Sequence, residues 1–83
     1  MKASPFNPEP VKIISEKGMP SQVYFKKRLR RVREISNLWR VDEGWWSTPV
    51  SRMYYVLELE SGSRITIFHD LLHDRWYKQA WVT

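Results

Sequence analysis

The chain has 83 residues and a mass of 10.1 kDa, which is the size of one small domain. A hydrophobic fraction of 42% and a charged fraction of 28% are typical of a folded globular protein rather than a disordered segment. No run of about 18 apolar residues occurs, so we expect neither a transmembrane helix nor a signal peptide at the start of the chain. Without cysteine there is no disulfide framework, and the chain fits a reducing, cytoplasmic location.

Positive charge is concentrated in the first part of the chain. Residues 1–33 contain nine lysines and arginines and two glutamates, whereas residues 34–83 contain five basic and seven acidic residues. The net charge of +5 is therefore local, which favours contact with a polyanion such as nucleic acid. A basic patch of this kind also serves simply to keep a protein soluble.

The N-terminal part predicts a tail followed by a hairpin. Three prolines in residues 1–10 indicate a flexible, proline-rich tail that we expect to be disordered, and one small β domain is expected over residues 11–83. Residues 11–14 and 21–25 are short β-prone runs, and a turn signal around Gly18 separates them. We expect these two runs to pair.

Residues 26–41 allow two interpretations. Apolar residues recur there at every third position, at Leu29, Val32, Ile35 and Leu38. This spacing suits one stripe of an α-helix. The β-branched residues, the missing helix cap and the strand-like flanks favour a long strand, in which a bulge near Arg33 and Glu34 explains the same spacing. The strand is preferred, and the choice between strand and helix for residues 28–37 stays open.

The C-terminal half predicts three strands, over residues 50–59, 63–69 and 75–82, with Gly62 at the left-handed position of a three-residue loop. The loop fixes a register with five cross-strand pairs: Leu57 with Ile65, Tyr55 with Ile67, Glu58 with Arg64, Val56 with Thr66, and Tyr54 with Phe68. Both faces carry apolar residues, which indicates a sheet that curls or is covered. The sequence therefore predicts an all-β fold, a small curled antiparallel sheet or barrel of five to six strands.

A set of aromatic and charged residues carries a family resemblance. The set comprises residues 39–46 with the adjacent Trp45 and Trp46, residues 49–56 with Pro49 and Arg52, the turn glycine Gly62, and Arg75, Trp76 and Tyr77. In this order they resemble a small bacterial domain of unknown function. They also resemble the C-terminal segment of the inactive Y-family polymerase relatives of the inducible mutagenesis cassette. The resemblance spans roughly residues 18 to 82, and it implies a DNA-repair setting without catalytic residues.

The sequence departs from the resembled pattern at two turns. Where the pattern has glycine just before the Arg-Trp pair, this chain has His73 and Asp74. Where it has Gly-Arg in the second turn, this chain has Lys26, Lys27 and Arg28, which raises the local positive charge.

Six cations within eight positions are candidates for contact with nucleic-acid phosphates, namely Lys26, Lys27, Arg28, Arg30, Arg31 and Arg33. On an unbroken strand, Arg31 and Arg33 share one face, while Arg28 and Arg30 share the other face with Lys26. The alternative is a solvated edge strand that its charge protects against aggregation.

Five tryptophans are a high load for 83 residues. Trp45 and Trp46 are adjacent, so strand alternation directs them to opposite faces. One of the two is expected to form an exposed aromatic surface on which an unpaired base stacks. Trp39 and Trp76, together with Trp45, are otherwise expected to fill the core of so small a domain.

Two His-Asp pairs four residues apart, His69-Asp70 and His73-Asp74, lack a third ligand group nearby, and Asp70 is expected to cap a turn. We therefore expect no metal at these residues. Because Ser47, Ser51 and Ser63 lack the context of a catalytic nucleophile and no glycine-rich phosphate loop occurs, we also expect no cofactor, no small-molecule substrate and no enzymatic activity. The sequence predicts a non-catalytic binding module that contacts nucleic acid in DNA maintenance. The alternative is a protein–protein interaction or self-association domain without a nucleic-acid role.

Overall fold

The computed structural model describes residues 8–45 and 48–79, without the side chains of Trp45 and Thr48. The described residues form seven strands and no helix, so none of them forms a helix that could cross a membrane. The strands are β1 (Glu9–Pro10), β2 (Ile13–Glu16), β3 (Met19–Phe25), β4 (Arg28–Trp45), β5 (Thr48–Leu59), β6 (Arg64–Asp70) and β7 (Arg75–Lys78). The predicted all-β fold is confirmed, with one strand more than the upper figure of six.

The strands form one curled antiparallel sheet, a half-barrel, in the order β1-β7-β6-β5-β4-β3-β2. The predicted hairpin of β2 with β3 is confirmed, and so is the predicted register of β5 with β6, from Glu58 opposite Arg64 to Tyr54 opposite Phe68. Gly62 has a φ of 94°, the left-handed conformation that the loop between these strands requires.

The long strand β4 curls the sheet. Its first four residues pair with β3, and from Val32 onward it pairs with β5. Two register shifts interrupt the pairing with β5, one between Val32 and Glu34 and one between Ile35 and Asn37. The strand interpretation with a bulge near Arg33 is therefore confirmed, and a second bulge follows it. Bulges bend a strand and increase its twist, which lets one strand serve both parts of the sheet.

Residues 11 and 12 connect the two edge strands, β1 and β2, and form hydrogen bonds with their neighbours β7 and β3. The N–H of Val11 donates to the carbonyl of Trp76 in β7 at 3.1 Å, and the N–H of Tyr24 in β3 donates to the carbonyl of Lys12 at 2.9 Å. The predicted tail falls mostly on residues 1–7, outside the described part. Glu9 and Pro10, also assigned to it, form β1 instead, because an edge strand accommodates proline without losing a ladder hydrogen bond.

The core lies on the concave face of the curled sheet. Directly opposed residues of antiparallel strands share a face. The buried residues that share this face come from β3, β5 and β6, and they are Val23, Tyr55, Leu57, Leu59, Ile65 and Ile67. Val32, Ile35 and Trp76 pack against this cluster. The intervening residues of the same strands lie on the outer face.

Candidate nucleic-acid interface

The turn between β3 and β4 consists of two lysines. Phe25 pairs with Arg28, which leaves Lys26 and Lys27 as a two-residue loop with φ values of 53° and 65°. Positive φ at both positions is the geometry of a type I′ turn, in which asparagine and glycine are preferred. A residue with a β-carbon in this region is strained by about 1–2 kcal/mol. The two ammonium groups are thus held at the tip of the hairpin against the conformational preference of lysine.

Two ammonium groups lie near the ring of Phe25. The Nζ atom of Lys26 is 5.4 Å from the centre of the Phe25 ring, and the Nζ atom of Lys78 is 5.7 Å from it. Both distances are within the range of a cation–π contact. An open groove of about 520 Å³ lies beside the ring, and it is also lined by residues 64–66 of β6 and by Lys78 and Gln79. We call this feature, formed by Phe25, Lys26, Arg64 and Lys78, the basic groove.

Only part of this charge is neutralised within the protein. Lys78 lies 3.7 Å from a carboxylate oxygen of Glu9, and Arg64 donates to Glu58 at 2.6 Å. The hydrogen bond from Arg64 lowers the pKa of Glu58. Among the described residues, no carboxylate lies within ion-pair distance of Lys26, Lys27 or Arg28. Of these three cations, Lys26 lines the groove, and an unpaired ammonium group at an open groove attracts an anion.

Of the six predicted phosphate contacts, Lys26 alone is among the residues that line the basic groove. Arg30 is half-buried, and its Nε atom donates to the carbonyl of Phe25 at 2.9 Å, so it stabilises the hairpin. Arg31 is paired opposite Gln22 and lies 3.9 Å from Glu60. Arg33 is at the first bulge of β4. The predicted cluster therefore divides into the turn cations Lys26, Lys27 and Arg28 and three arginines along the strand.

An aromatic row crosses the outer face of four strands. It consists of Trp39, Tyr54, Phe68 and Tyr77, which are directly opposite one another in β4, β5, β6 and β7. The ring centres of successive members are 5.2, 5.1 and 5.1 Å apart. Phe68 is buried, with the guanidinium of Arg52 4.5 Å above its ring. Trp39, at the β4 end of the row, is 38% exposed.

The tryptophan predictions have mixed outcomes. Trp46 and the side chain of Trp45, the predicted aromatic surface, lie outside the described residues. Trp76 packs against the core as expected, 5.6 Å from the Tyr55 ring and 4.1 Å from the His69 ring. The expectation that Trp39 fills the core is wrong, because Leu38 shares the concave face with Tyr55 and its neighbour Trp39 therefore lies on the outer face.

The two histidines pair with aspartates across the turn between β6 and β7. Nε2 of His69 is 2.7 Å from Asp74, and Nδ1 of His73 is 2.9 Å from Asp70. Asp70 accepts the backbone N–H groups of Leu72 and His73, so its predicted capping role is confirmed. Burial raises the pKa of Asp70, but the hydrogen bonds from His73 and Leu72 outweigh this effect and lower it overall. Within the described residues, no cluster of three metal-ligating side chains is present.

Sequence reasoning missed two parts of this candidate interface. Lys78 and Arg64 are distant from the lysine turn in sequence and reach the groove only because the sheet curls. The aromatic row had a partial signal, because the register of β5 with β6 already placed Tyr54 opposite Phe68. Extending that register to Trp39 required the two bulges of β4.

Comparison of the chain with protein-family models, with curated proteins and with solved structures finds no match. The resemblance described from the sequence therefore stays a prediction.

Proposed function

We propose that this protein is a non-catalytic module that binds nucleic acid through its phosphates at the basic groove. The observation that carries the proposal is the Lys26-Lys27 turn. Both lysines have left-handed φ and no carboxylate partner among the described residues, and the ammonium group of Lys26 lies beside Phe25 in the groove. Strained residues that persist in a fold motivate a functional hypothesis. Phosphate is the anion that lysine and arginine side chains at a turn recognise without reading sequence. The DNA-maintenance setting comes from the sequence resemblance alone.

A charge-removing variant that also relieves the turn tests this proposal. Lys26→Asn with Lys27→Gly creates the preferred type I′ sequence, so the hairpin keeps its shape while two cations are lost. Fluorescence anisotropy with a labelled single-stranded oligonucleotide between about 50 and 200 mM salt then measures affinity and its salt dependence. We expect weaker binding and a log–log salt slope that is smaller by about 1.4, which is about 0.7 for each lost phosphate contact.

Lys17→Asn is the matched control. Lys17 also has a positive φ, 55°, but it lies in the turn between β2 and β3, at the other end of β3. This control removes one cation that has the same backbone conformation. Because Lys17 does not line the basic groove, binding is expected to stay nearly unchanged. Equal affinity and salt slope for the double variant and the wild type would contradict the proposal, and so would a wild type that binds no oligonucleotide at low salt.

A second candidate function is self-association through β4. From Asn37 to Trp45, the β4 edge that faces away from β5 has no strand partner among the described residues, and Leu38 beside it is 46% exposed. An open edge can pair with a second copy. Asn37, however, accepts the N–H of Leu38 with its own side-chain oxygen at 2.8 Å, which removes one donor from the edge. We rank this function second. Sedimentation of the wild type decides it: a dimer that persists in high salt supports self-association, and a monomer at every concentration excludes it.

A further inference from the structure

The aromatic row ends at Trp39, whose indole has a stacked ring on only one of its two faces among the described residues. Trp39 and Tyr54 are parallel to within 4°, with ring centres 5.2 Å apart, so Tyr54 covers one face of the indole in an offset stack. Strand β3 pairs with β4 only at Arg28–Arg31, which makes β4 the last strand of the sheet at the level of Trp39. Within the described residues, no second ring stacks on the other indole face, and Trp39 is 38% exposed.

Cations lie beside this row on the same outer face. Arg52 is one outward-facing pair away from Tyr54 along β5, and its guanidinium donates to the Tyr54 hydroxyl at 3.2 Å. Arg75 lies opposite Asp70, which in turn lies opposite Arg52, so these three residues form the cross-strand row next to the aromatic row. The guanidinium of Arg52 lies over the ring of Phe68, two strands from Trp39, so what the uncovered indole face itself offers is a surface on which an unpaired base stacks.

We propose that the free face of Trp39 stacks an unpaired nucleobase, so that the row of rings continues into the nucleic acid and the protein prefers single strands to duplexes. This inference rests on the proposed function, because the basic groove supplies affinity and Trp39 adds the preference. A base in a duplex is stacked on both sides and cannot reach the indole. Stacking on a ring is tolerant of base identity, so no sequence specificity is expected.

The test compares Trp39→Ala with Leu38→Ala. The two residues are neighbours with similar exposure, 38% and 46%, but they lie on opposite faces of β4. Affinity is measured by anisotropy at one low salt concentration, for a single strand and for a duplex of the same sequence. We expect Trp39→Ala to weaken single-strand binding about tenfold or more and to leave duplex binding unchanged. Leu38→Ala is expected to leave both affinities unchanged.

Two further probes keep the test decisive if Trp39→Ala folds poorly. Trp39→Phe keeps a ring and should retain most of the single-strand affinity, while the quench of tryptophan fluorescence on binding should diminish. An abasic single strand keeps the phosphates and lacks the bases. The wild type should bind the abasic strand about as weakly as Trp39→Ala binds the normal strand.

The failures of the two proposals are distinguishable. If the Lys26→Asn, Lys27→Gly variant loses affinity while Trp39→Ala behaves like Leu38→Ala, the base-stacking inference is wrong and the phosphate site stands. Equal binding of normal and abasic strands by the wild type would also show that the base-stacking inference is wrong and that the phosphate site stands. If Trp39→Ala turns a dimer into a monomer without changing oligonucleotide binding, the face belongs to a second copy. Absence of all oligonucleotide binding overturns the phosphate site itself.

Discussion

Two turns at the ends of β3 have the same backbone shape and different chemistry. The turn before β3 is Lys17-Gly18, with φ values of 55° and 82°, and the turn after it is Lys26-Lys27, with values of 53° and 65°. In the first turn glycine adopts the left-handed conformation at little cost. At the same position of the second turn, Lys27 adopts this conformation with the strain that a β-carbon causes. The second turn is also the one that borders the basic groove. The difference indicates that charge is retained at this turn at the expense of stability.

Making the first turn resemble the second should have the largest effect. In Gly18→Lys the new side chain meets open space, because no atom lies within 4 Å of an added β-carbon. The whole cost is therefore the left-handed φ, and we expect a loss of about 1 kcal/mol, or about 4–8 °C in Tm. Urea denaturation and thermal melting measure it.

Gly44→Ala is the control for this substitution. Gly44 also has open space around its α-carbon, but its φ is not in the left-handed region. It should lose no stability. A Gly18→Lys variant that melts like the wild type would show that a left-handed lysine causes no strain in this fold. The charge at the second turn would then not be retained at the expense of stability.

The reverse exchange should have a smaller effect of opposite sign. Lys27→Gly gives the second turn the Lys-Gly sequence of the first. It relieves the strain, but glycine adds conformational freedom to the unfolded chain, so the net gain is about 0.5 kcal/mol. Denaturation of the single variant measures this gain. A loss of stability would show that the strain relieved at Lys27 is smaller than the cost of the added conformational freedom.

The pairing of the strands was largely predictable, because it depends on local patterns. Alternation and the Gly62 loop define the register of β5 with β6. The three-residue spacing of Val32, Ile35 and Leu38 on the concave face comes from the bulges at Arg33 and Ser36, each of which adds one residue to a two-residue period. The sequence indicated the first bulge and not the second. That second bulge decides that Trp39 lies outside.

The candidate site was predictable only in part. The run of cations is visible in the sequence, but its division is not, because it depends on where Arg30 finds an acceptor and where β4 bulges. The convergence of Lys26 with Lys78 arises from the curl of the whole sheet. The two turns that depart from the resembled glycine pattern contain Lys27 and Asp74, both with positive φ. The departures were visible beforehand, whereas the backbone conformation was not.

The turn between β6 and β7 differs from the two turns at the ends of β3, because a carboxylate stabilises it. Asp70 accepts the N–H groups of Leu72 and His73 and lies opposite both Arg52 and Arg75. Against the opposing effect of burial, hydrogen bonds from His73 and Leu72 lower the pKa of Asp70 below its ordinary 3.8.

This turn should give the smallest effect, and one that depends on pH. A carboxyl group with a lowered pKa stabilises the fold above its unfolded pKa, and this contribution disappears as the pH falls through the folded pKa, here below about 4. Asp70→Asn keeps an acceptor for the two N–H groups but has no charge to lose. The Tm of the wild type should therefore exceed that of Asp70→Asn by about 2 °C at most near pH 6, because solvent screens the charge. The two melting curves should converge as the pH approaches about 2.5. A Tm difference that stays constant from pH 6 down to that value would show that the Asp70 charge does not hold the turn and that its hydrogen bonds to the backbone suffice.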